Sequence, residues 1–235
     1  MDEAWRWPLY WPLYIGLVVS KSISEKALKK HQLFKDSKAL TAAQREVAFE
    51  EIFQLKKEWK IDFQVWSIDA KSIDVFWVTR AINLAVMKAL YVLLINQLWK
   101  KAKKKISIGD VAKLVHEYEE KFETIEIVFD GKTDFKIGKE LWIATSTIVH
   151  WDANVVQIAM ASILAKVSRD QLLDEIAVKH PKYWFEKHKG YWTKLHYEAI
   201  ENYWVLKDHR KLFLKKIFPE RKIKNYDKNL SFSLN

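Results

Sequence analysis

The sequence predicts an α/β domain followed by a helical C-terminal part. Short apolar runs in the first 130 residues have the composition of strands, and segments with helical spacing lie between them. From residue 154 to about residue 217 only helical spacing recurs. Strands that alternate with helices are typical of an α/β domain, and the later helices then extend it.

The first half of the chain contains four predicted elements. Residues 9–20 are rich in branched and aromatic side chains, which predicts a strand. Thr41-Ala-Ala-Gln44 is a capping-box pattern, so the amphipathic run 46–57 behind it is expected to form a helix. Residues 61–68 alternate loosely between apolar and polar and predict a strand. The long apolar run 80–98 predicts a mostly buried helix.

The second half contains one clear strand and several helices. Residues 125–130 form a short apolar run that ends in Asp-Gly, a turn signal, and predict a strand. Apolar residues at helical spacing over 154–179 predict a long core helix. The remaining predictions are a basic loop over 100–105, a polar helix over 111–122, shorter helices over 193–203 and 209–217, and a disordered tail over 225–235.

The composition excludes several classes of protein. The chain of 235 residues has no cysteine, which removes disulfides, thiolate metal sites and cysteine nucleophiles. The most apolar stretch, 81–98, is interrupted by Asn83, Lys88 and Asn96, so we expect no membrane span. No secretory leader precedes the first acidic residues, so we expect a cytoplasmic protein. The net charge of +10 favours a polyanionic partner.

Most of the net positive charge, +8 of +10, lies in residues 179–228, where aromatic residues and histidines are interleaved with lysines. This mixture predicts a surface that binds phosphates and stacks on bases. A solvated helical surface is the alternative, and His188 and His209 are compatible with simple packing. The interleaved residues are Tyr183, Phe185, His188, Tyr191, His196 and His209.

Four acidic residues stand where the active sites of α/β domains collect. Asp2 and Glu3 precede the first predicted strand. Asp130 ends a strand, and Asp152 directly precedes the long helix. Carboxylates without cysteine or patterned histidine favour hard ions such as Mg²⁺ or Mn²⁺. In a basic protein, such a cluster indicates metal-assisted cleavage of phosphodiester bonds.

Each acidic residue also has a structural alternative. Asp152 can act as the N-cap of the long helix, and Asp130 can simply start an Asp-Gly turn. Asp2 and Glu3 can belong to a disordered N-terminus. Neighbouring residues of a strand point to opposite faces. Asp2 and Glu3 therefore serve one site only if the strand ends or twists there, or if one of them acts through water.

The order of the motifs resembles that of ribonuclease HII, the type 2 ribonuclease H family. The family opens with Asp-Glu-Ala-Gly-Arg-Gly-Pro-Leu-x-Gly-Pro, and residues 2–12 here are Asp-Glu-Ala-Trp-Arg-Trp-Pro-Leu-Tyr-Trp-Pro. The resemblance runs from Asp2 to about Phe218, nearly the whole chain. The further matching motifs are Asp36-Ser-Lys-x-Leu40, Ser72-Ile-Asp74, Asp130-Gly131, His150-Trp-Asp152 with the following run 161–170, Lys187-His-Lys-Gly-Tyr-Trp-Thr193, and His209-Arg-Lys-Leu-Phe213.

This resemblance implies a ribonuclease-H-like fold, in which helices flank a mixed five-stranded sheet and a helical C-terminal extension follows. It implies a catalytic domain over 1–178, a basic helical substrate-binding part over 179–224 and a disordered tail over 225–235. It also implies two divalent ions, Mg²⁺ or Mn²⁺, that activate water and stabilise the leaving oxygen. The catalytic and metal-binding residues would be Asp2, Glu3, Asp130 and Asp152.

The resemblance implies the substrate as well. A monomeric enzyme would cleave the RNA strand of RNA–DNA hybrids and the 5′ side of ribonucleotides embedded in duplex DNA, leaving a 3′-hydroxyl and a 5′-phosphate. Trp5, Arg6 and Trp7 correspond to the family's Gly-Arg-Gly loop at the ribose 2′-hydroxyl. Tyr191 corresponds to the tyrosine that packs on the sugar at the RNA-to-DNA junction. Lys166 and Arg169 can equally be ordinary helix-surface cations. The candidate phosphate contacts are Ser37, Lys38, Lys166 and Arg169.

The tryptophans stand where glycine is expected. The chain has 12 Trp but only 5 Gly, whereas glycine usually makes up about 7% of a protein. We hypothesise that the gene reads the codon UGA as glycine and that the sequence was translated with UGA as tryptophan. Deliberate replacement of glycine by tryptophan is the alternative. The positions within the family's motifs are Trp5, Trp7, Trp11, Trp151 and Trp192, and those at loops, turns or element ends are Trp59, Trp66, Trp77, Trp99, Trp142, Trp184 and Trp204.

The same tryptophans determine whether we expect the chain to cleave its substrate. Indoles at Trp5 and Trp7 would fill space where the backbone must approach the ribose, and Trp151 would crowd Asp152. We therefore expect cleavage by the chain with glycine at these positions and little or none by the chain with tryptophan. A non-catalytic nucleic-acid-binding protein of the same fold is the alternative function.

Overall fold

The computed structural model describes residues 1–4, 8–10, 12–148, 155–215 and 218. These residues form two compact units. The first unit contains Met1–Ala4, Tyr14–Ser67 and the described residues of 79–168. The second unit contains the described residues of 5–13, 68–78 and 169–235. Each unit is therefore assembled from three separate stretches of chain.

The first unit contains five strands, which form a three-stranded and a two-stranded sheet. They are β1 (Asp2–Ala4), β2 (Leu13–Ser20), β3 (Ile61–Ile68), β4 (Glu126–Asp130) and β5 (Ala144–Ile148). β1 pairs antiparallel with β2, which pairs with β3, and β4 pairs parallel with β5. Met1 joins the two groups: its nitrogen donates to the carbonyl of Val128 (2.8 Å), and its carbonyl accepts from the amide of Asp130 (3.1 Å). Met1 thus links the three-stranded sheet β3-β2-β1 to the two-stranded sheet β4-β5, and the antiparallel and parallel pairings agree with the expected mixed sheet.

The helices largely follow the sequence prediction, with shifted ends. In the predicted capping box, Thr41 Oγ1 accepts from the amide of Gln44, and the Gln44 side chain accepts from the amide of Thr41. The helices are α1 (Glu25–Leu28), α2 (Ala42–Lys57), α3 (Ala70–Gln97), α4 (Ile108–Lys121), α5 (Ile137–Leu141), α6 (Val156–Lys179), α7 (Phe185–His188), α8 (Lys194–Tyr203) and α9 (Lys211–Leu214).

The long apolar helix α3 has the length and composition of a membrane span, but 67% of its most apolar 18-residue stretch is buried inside the protein. Such burial is typical of a core helix, and it confirms the prediction of a mostly buried helix over 80–98. α3 begins ten residues earlier than predicted, because two helices join across a kink at Trp77.

The core of the first unit brings α2 and α6 against β2 and β3. Gly16 on β2 marks the closest approach, because a Cβ there would overlap the backbone carbonyl of Ala161 on α6. Gly16 also pairs directly with Asp2 across the β1–β2 ladder. The close packing that Gly16 permits therefore brings α6 to the first predicted acidic residue.

The core of the second unit is aromatic and contains three histidines. Tyr10 stacks on Phe185 with ring centroids 4.1 Å apart, and His188 stacks on His196 at 4.3 Å. The predicted base-stacking surface is therefore wrong for most of its members, because their rings pack against one another inside the second unit. Tyr191 is exposed, whereas the other members are buried: Tyr183, Phe185, His188, His196 and His209.

Many tryptophans have a left-handed backbone. Of the eight within the described residues, six have φ between 51° and 75°, and the other two, Trp66 and Trp192, do not have positive φ. Trp77 (φ 64°, ψ 157°) and Trp204 (φ 75°, ψ −177°) lie in a region that essentially only glycine populates. The six are Trp59, Trp77, Trp99, Trp142, Trp184 and Trp204.

Candidate active site

Asp2 and Asp130 occupy neighbouring strands. Asp2 begins β1 and Asp130 ends β4, and the two bonds of Met1 to β4 set these strands side by side. Asp2 is only 8% exposed, whereas Asp130 is half-buried. Burial, reinforced by the negative charge of Asp130, raises the pKa of Asp2 to about 6. Two acidic groups that repel each other at a buried position are suited to share a cation.

A pair of serines connects Asp2 to the Asp36-Ser-Lys motif. Ser162 on α6 hydrogen-bonds the Asp2 side chain and opposes the upward shift of its pKa. Ser37 Oγ lies 2.8 Å from Ser162 Oγ. Because an ionised Asp2 can only accept, Ser162 donates to Asp2 and Ser37 donates to Ser162. Ser37 is thus buried and tied to the acidic site rather than exposed at the surface.

The turn that carries Ser37 is fixed by its own polar contacts. Ser37–Ala39 form one turn of 3₁₀ helix, and the Asp36 carboxylate accepts from the amide of Lys38 (2.8 Å). The guanidinium of Arg45 donates to the carbonyl of Ser37 (2.9 Å). Lys38 remains exposed. Lys166 is half-buried on α6, four residues after Ser162 and therefore on the same helix face.

Glu3 follows Asp2 in β1 and is half-buried, and its amide donates to Asp2 Oδ1 (2.7 Å). Among the described residues, no group of three or more acidic, histidine or cysteine side chains is close enough to hold a metal ion. Four predicted site residues lie outside the described residues, and their roles stay predictions: Trp5, Arg6, Trp7 and Asp152.

The second unit carries Tyr191 and Arg169. Tyr191 is 39% exposed and presents the aromatic face that the sequence predicts. Arg169 is fully buried, and its Nη2 donates to the carbonyl of Lys189 (2.6 Å). The alternative of a helix-surface cation is therefore wrong for Arg169. Its placement favours support of the loop before Tyr191, while a direct phosphate contact stays a prediction.

Comparison with known proteins decides the family. The ribonuclease HII family model matches residues 1–218. The chain belongs to the ribonuclease HII family. A ribonuclease HII of Clostridioides difficile (strain 630) is 35% identical over 217 residues, which cover 92% of this chain and 69% of that protein. A ribonuclease HII of Caldicellulosiruptor bescii is 36% identical over 219 residues, covering 92% and 86%.

The solved structures agree on the fold of this ribonuclease HII. The crystal structure of ribonuclease H2 from Pyrococcus horikoshii OT3 matches 95% of this chain and 97% of its own, with a TM-score of 0.59 at 24% identity. The ribonuclease-H-like fold predicted from the motifs is therefore confirmed. The family is metal-dependent, and as a member of it the protein is a nuclease, a hydrolase that acts on nucleic acid.

Sequence reasoning missed three residues that position the ribonuclease HII motifs. Ser162 lies inside the quoted run 161–170, and Gly16 is one of only five glycines, yet neither stood out as part of the site. Asp74 belongs to the Ser72-Ile-Asp74 motif, and its carboxylate accepts from the amides of Lys211 (2.9 Å) and Leu212 (2.8 Å). These bonds hold the first turn of α9. The sequence does not reveal them, because Asp74 and Lys211 lie 137 residues apart in the chain.

Proposed function

We propose that this protein hydrolyses the phosphodiester bond on the 5′ side of a ribonucleotide embedded in duplex DNA, and cleaves the RNA strand of RNA–DNA hybrids. The products are a 3′-hydroxyl and a 5′-phosphate. The observation that carries the proposal is the pairing of Asp2 with Asp130 on neighbouring strands of a ribonuclease-H-like sheet.

The acidic pair fits a site for divalent cations. The raised pKa of Asp2 reflects the unfavourable free energy of burying a carboxylate, to which the negative charge of Asp130 adds. Oxygen ligands of this kind favour Mg²⁺ or Mn²⁺, and Glu3 and Asp152 would complete the ligand set for two ions. When bound, such ions supply an activated water and stabilisation of the leaving 3′-oxygen.

The remaining residues of the first unit orient the substrate. Ser162, supported by Ser37, holds the Asp2 carboxylate in one orientation. Lys38 and Lys166 bind backbone phosphates of the substrate. Arg6, with the backbone of its neighbours, meets the ribose 2′-hydroxyl.

The second unit provides the sugar contact. The exposed ring of Tyr191 packs on the sugar at the RNA-to-DNA junction, and the lysines of 179–224 bind the nucleic-acid backbone. Arg169 acts in this proposal through the carbonyl of Lys189. We place the protein in the cytoplasm as a monomer, where its net charge of +10 favours nucleic acid as its partner.

Asp130→Asn tests the catalytic proposal. The assay is incision of a DNA duplex with one embedded ribonucleotide, in Mg²⁺ or Mn²⁺, by the glycine form, which is the chain with glycine at all twelve tryptophan positions. We expect Asp130→Asn to abolish cleavage and retain binding, because it removes a metal ligand without removing the basic surface. Glu126→Gln, an exposed acid on the same strand, should cleave normally. Cleavage by Asp130→Asn would contradict the catalytic role of Asp130, whereas binding without cleavage by the glycine form itself, unchanged in Asp130→Asn, would favour the non-catalytic binder.

We further propose that the functional protein is this glycine form. Trp77 and Trp204 adopt backbone angles that tryptophan essentially never adopts, and four others are left-handed. A left-handed residue with a side chain costs about 1–2 kcal/mol. Six such positions are therefore a large cost for a protein whose net stability is only about 5–15 kcal/mol.

The hydrogen bonds around three of these tryptophans are those of glycine C-caps. After α2, Trp59 is left-handed and Lys60 N–H donates to the carbonyl of Leu55 (3.0 Å). After α3, Lys100 N–H donates to the carbonyl of Ile95 (2.8 Å) around Trp99 in the same way. This six-to-one bond defines the Schellman motif, whose left-handed position is usually glycine. Trp142 after α5 repeats the arrangement.

The codons of the gene test the proposal directly. We expect UGA at the twelve tryptophan codons and ordinary glycine codons at the five glycines. Mass spectrometry of the protein from its source organism should find each tryptophan-containing peptide lighter by the difference between an indolylmethyl group and a hydrogen. Several UGG codons, or intact tryptophan in those peptides, would overturn the proposal.

A further inference from the structure

The peptide groups on both sides of Tyr191 are held by histidines of the second unit. His196 Nδ1 lies 2.8 Å from the carbonyl of Tyr191. The carbonyl of His188 accepts from the amide of Tyr191 (2.9 Å), and its ring Nδ1 accepts from the amide of Gly190 (3.1 Å). The two imidazole rings also stack on each other. Tyr191 is thus anchored through its backbone while its side chain is exposed.

A series of hydrogen bonds indicates which nitrogen of each histidine ring carries the proton. His209 Nδ1 lies 2.9 Å from the amide of Leu206 and 3.2 Å from the carbonyl of Leu206. Because Nδ1 accepts the shorter of these two bonds, we assign the proton of His209 to Nε2. That nitrogen lies 3.1 Å from His196 Nε2, which therefore accepts. His196 must then carry its proton on Nδ1, where it donates to the carbonyl of Tyr191. His188 uses the opposite tautomer, since its Nε2 lies 2.7 Å from the carbonyl of Tyr183.

The surroundings keep all three histidines neutral. Burial, with a smaller contribution from His188, lowers the pKa of His196 to about 3. Burial likewise lowers the pKa of His209 well below its usual range and lowers that of His188. The other titratable groups that face them are His180 near His209 and Glu186 near His188. A second proton on His196 would be carried by Nε2, so that the Nε2–H donors of His196 and His209 would face each other.

The chain before Tyr191 is equally constrained. The buried Arg169 donates to the carbonyl of Lys189, and the amide of Leu9 donates to the carbonyl of Gly190 (3.0 Å). Gly190 has φ +79°, and a Cβ there would lie 3.0 Å from the carbonyl oxygen of Tyr10. Three consecutive residues therefore have hydrogen-bonded carbonyls, which fixes the backbone from which the Tyr191 side chain projects.

We infer that His196 is a positioning residue for Tyr191: its neutral Nδ1–H holds the Tyr191 carbonyl and so sets where the aromatic ring meets the sugar. The inference rests on the proposed function of Tyr191. His196 itself is fully buried and does not touch substrate.

Two substitutions separate the two ring nitrogens. His196→Asn keeps a donor near the position of Nδ1, whereas His196→Gln keeps a polar group only near Nε2. In the glycine form, we expect His196→Gln to lower kcat/KM for the single-ribonucleotide duplex about tenfold, as the loss of one buried hydrogen bond would. His196→Asn should restore most of that loss. Equal loss in both variants would overturn the inference.

A double-mutant comparison shows whether His196 acts through Tyr191. If it does, His196→Gln should have no further effect on cleavage once Tyr191→Ala is present. Full additivity, or normal cleavage by Tyr191→Ala alone, would contradict the positioning role.

Nitrogen NMR of the glycine form with His196 in place, measured without nucleic acid, provides a readout that does not depend on catalytic activity. We expect the neutral Nδ1–H tautomer of His196 to persist down to pH 5. The Nε2–H tautomer, or a protonated ring at pH 6, would overturn the inference even if cleavage occurs. Failure of the glycine form to cleave at all would instead count against the proposed function.

Discussion

The backbone carbonyl of Ala161 occupies the space that a side chain at Gly16 would need. This contact lets α6 lie directly on β2, opposite the point where Gly16 pairs with Asp2. Ser162, the next residue of α6, reaches the Asp2 side chain from there. A close approach between two backbones therefore positions the acid–serine contact of the active site.

Gly16→Ala should destabilise the protein by about 1–3 kcal/mol, because the added methyl forces α6 away from the sheet. Urea unfolding measures this change in the free energy of unfolding. The matched control is Gly109→Ala on α4, where a Cβ would meet only the Ser107 hydroxyl at 3.7 Å. That variant should be neutral or slightly stabilised. Similar stability of both variants would refute the packing argument.

Ser162→Ala should raise the pKa of Asp2 further above about 6, because it removes the hydrogen bond that opposes the effect of burial. Carbon NMR titration of the Asp2 carboxyl in metal-free protein measures the shift. Ser37→Ala should give a smaller upward shift, since Ser37 acts through Ser162. A downward shift in either variant would show that the hydroxyl chain runs in another direction.

Trp142→Gly should raise the melting temperature of the tryptophan-containing chain. The indole is 89% exposed, so its removal loses little burial, while relief of the left-handed backbone gains about 1–2 kcal/mol. Trp192→Gly is the matched control at an exposed position without positive φ, where glycine should lower the melting temperature or leave it unchanged. Equal effects at both positions would argue against backbone strain at Trp142.

Stability should fall as the pH drops below about 6.5. The unfolded chain protonates His196 near its ordinary value, whereas the folded protein lowers that pKa to about 3, so the unfolded state binds more protons between these values. The resulting stability is complete above pH 6.5 and is lost progressively toward pH 3. His196 alone accounts for roughly 2 kcal/mol between pH 7 and pH 5.

Urea unfolding at pH 7 and pH 5 measures that loss. His196→Gln should reduce the difference between the two pH values, whereas His116→Gln, at an exposed histidine of α4, should leave it unchanged. An unaltered difference in His196→Gln would show that other groups dominate the acid sensitivity.

The sequence predicted the elements whose pattern is local. The capping box of α2 and the strand β3 depend on residues close together in the chain, and both are present, although the burial along β3 does not alternate. β5 was missed because its Ala-Thr-Ser-Thr-Ile sequence has no apolar face, and its parallel partner β4 supplies the hydrogen bonds. The contact of Ser162 with Asp2 depends on tertiary packing and left no local signal.

The histidines and tryptophans show two opposite outcomes of sequence reasoning. Basic and aromatic residues around His196 predicted a nucleic-acid surface, but their rings form the core of the second unit. Composition cannot separate these cases, because both use aromatic rings beside cations. The tryptophan positions, in contrast, predict glycine from motif and turn context, and the left-handed angles of Trp59, Trp99 and Trp142 agree with that expectation.

Incision of a DNA duplex with one embedded ribonucleotide, measured for the glycine form and the tryptophan form side by side, tests the central claim most directly. We predict that the glycine form cleaves on the 5′ side of the ribonucleotide with Mg²⁺ or Mn²⁺, and that the tryptophan form cleaves little or not at all. Strong cleavage by the tryptophan form, or none by a folded glycine form, would contradict the account.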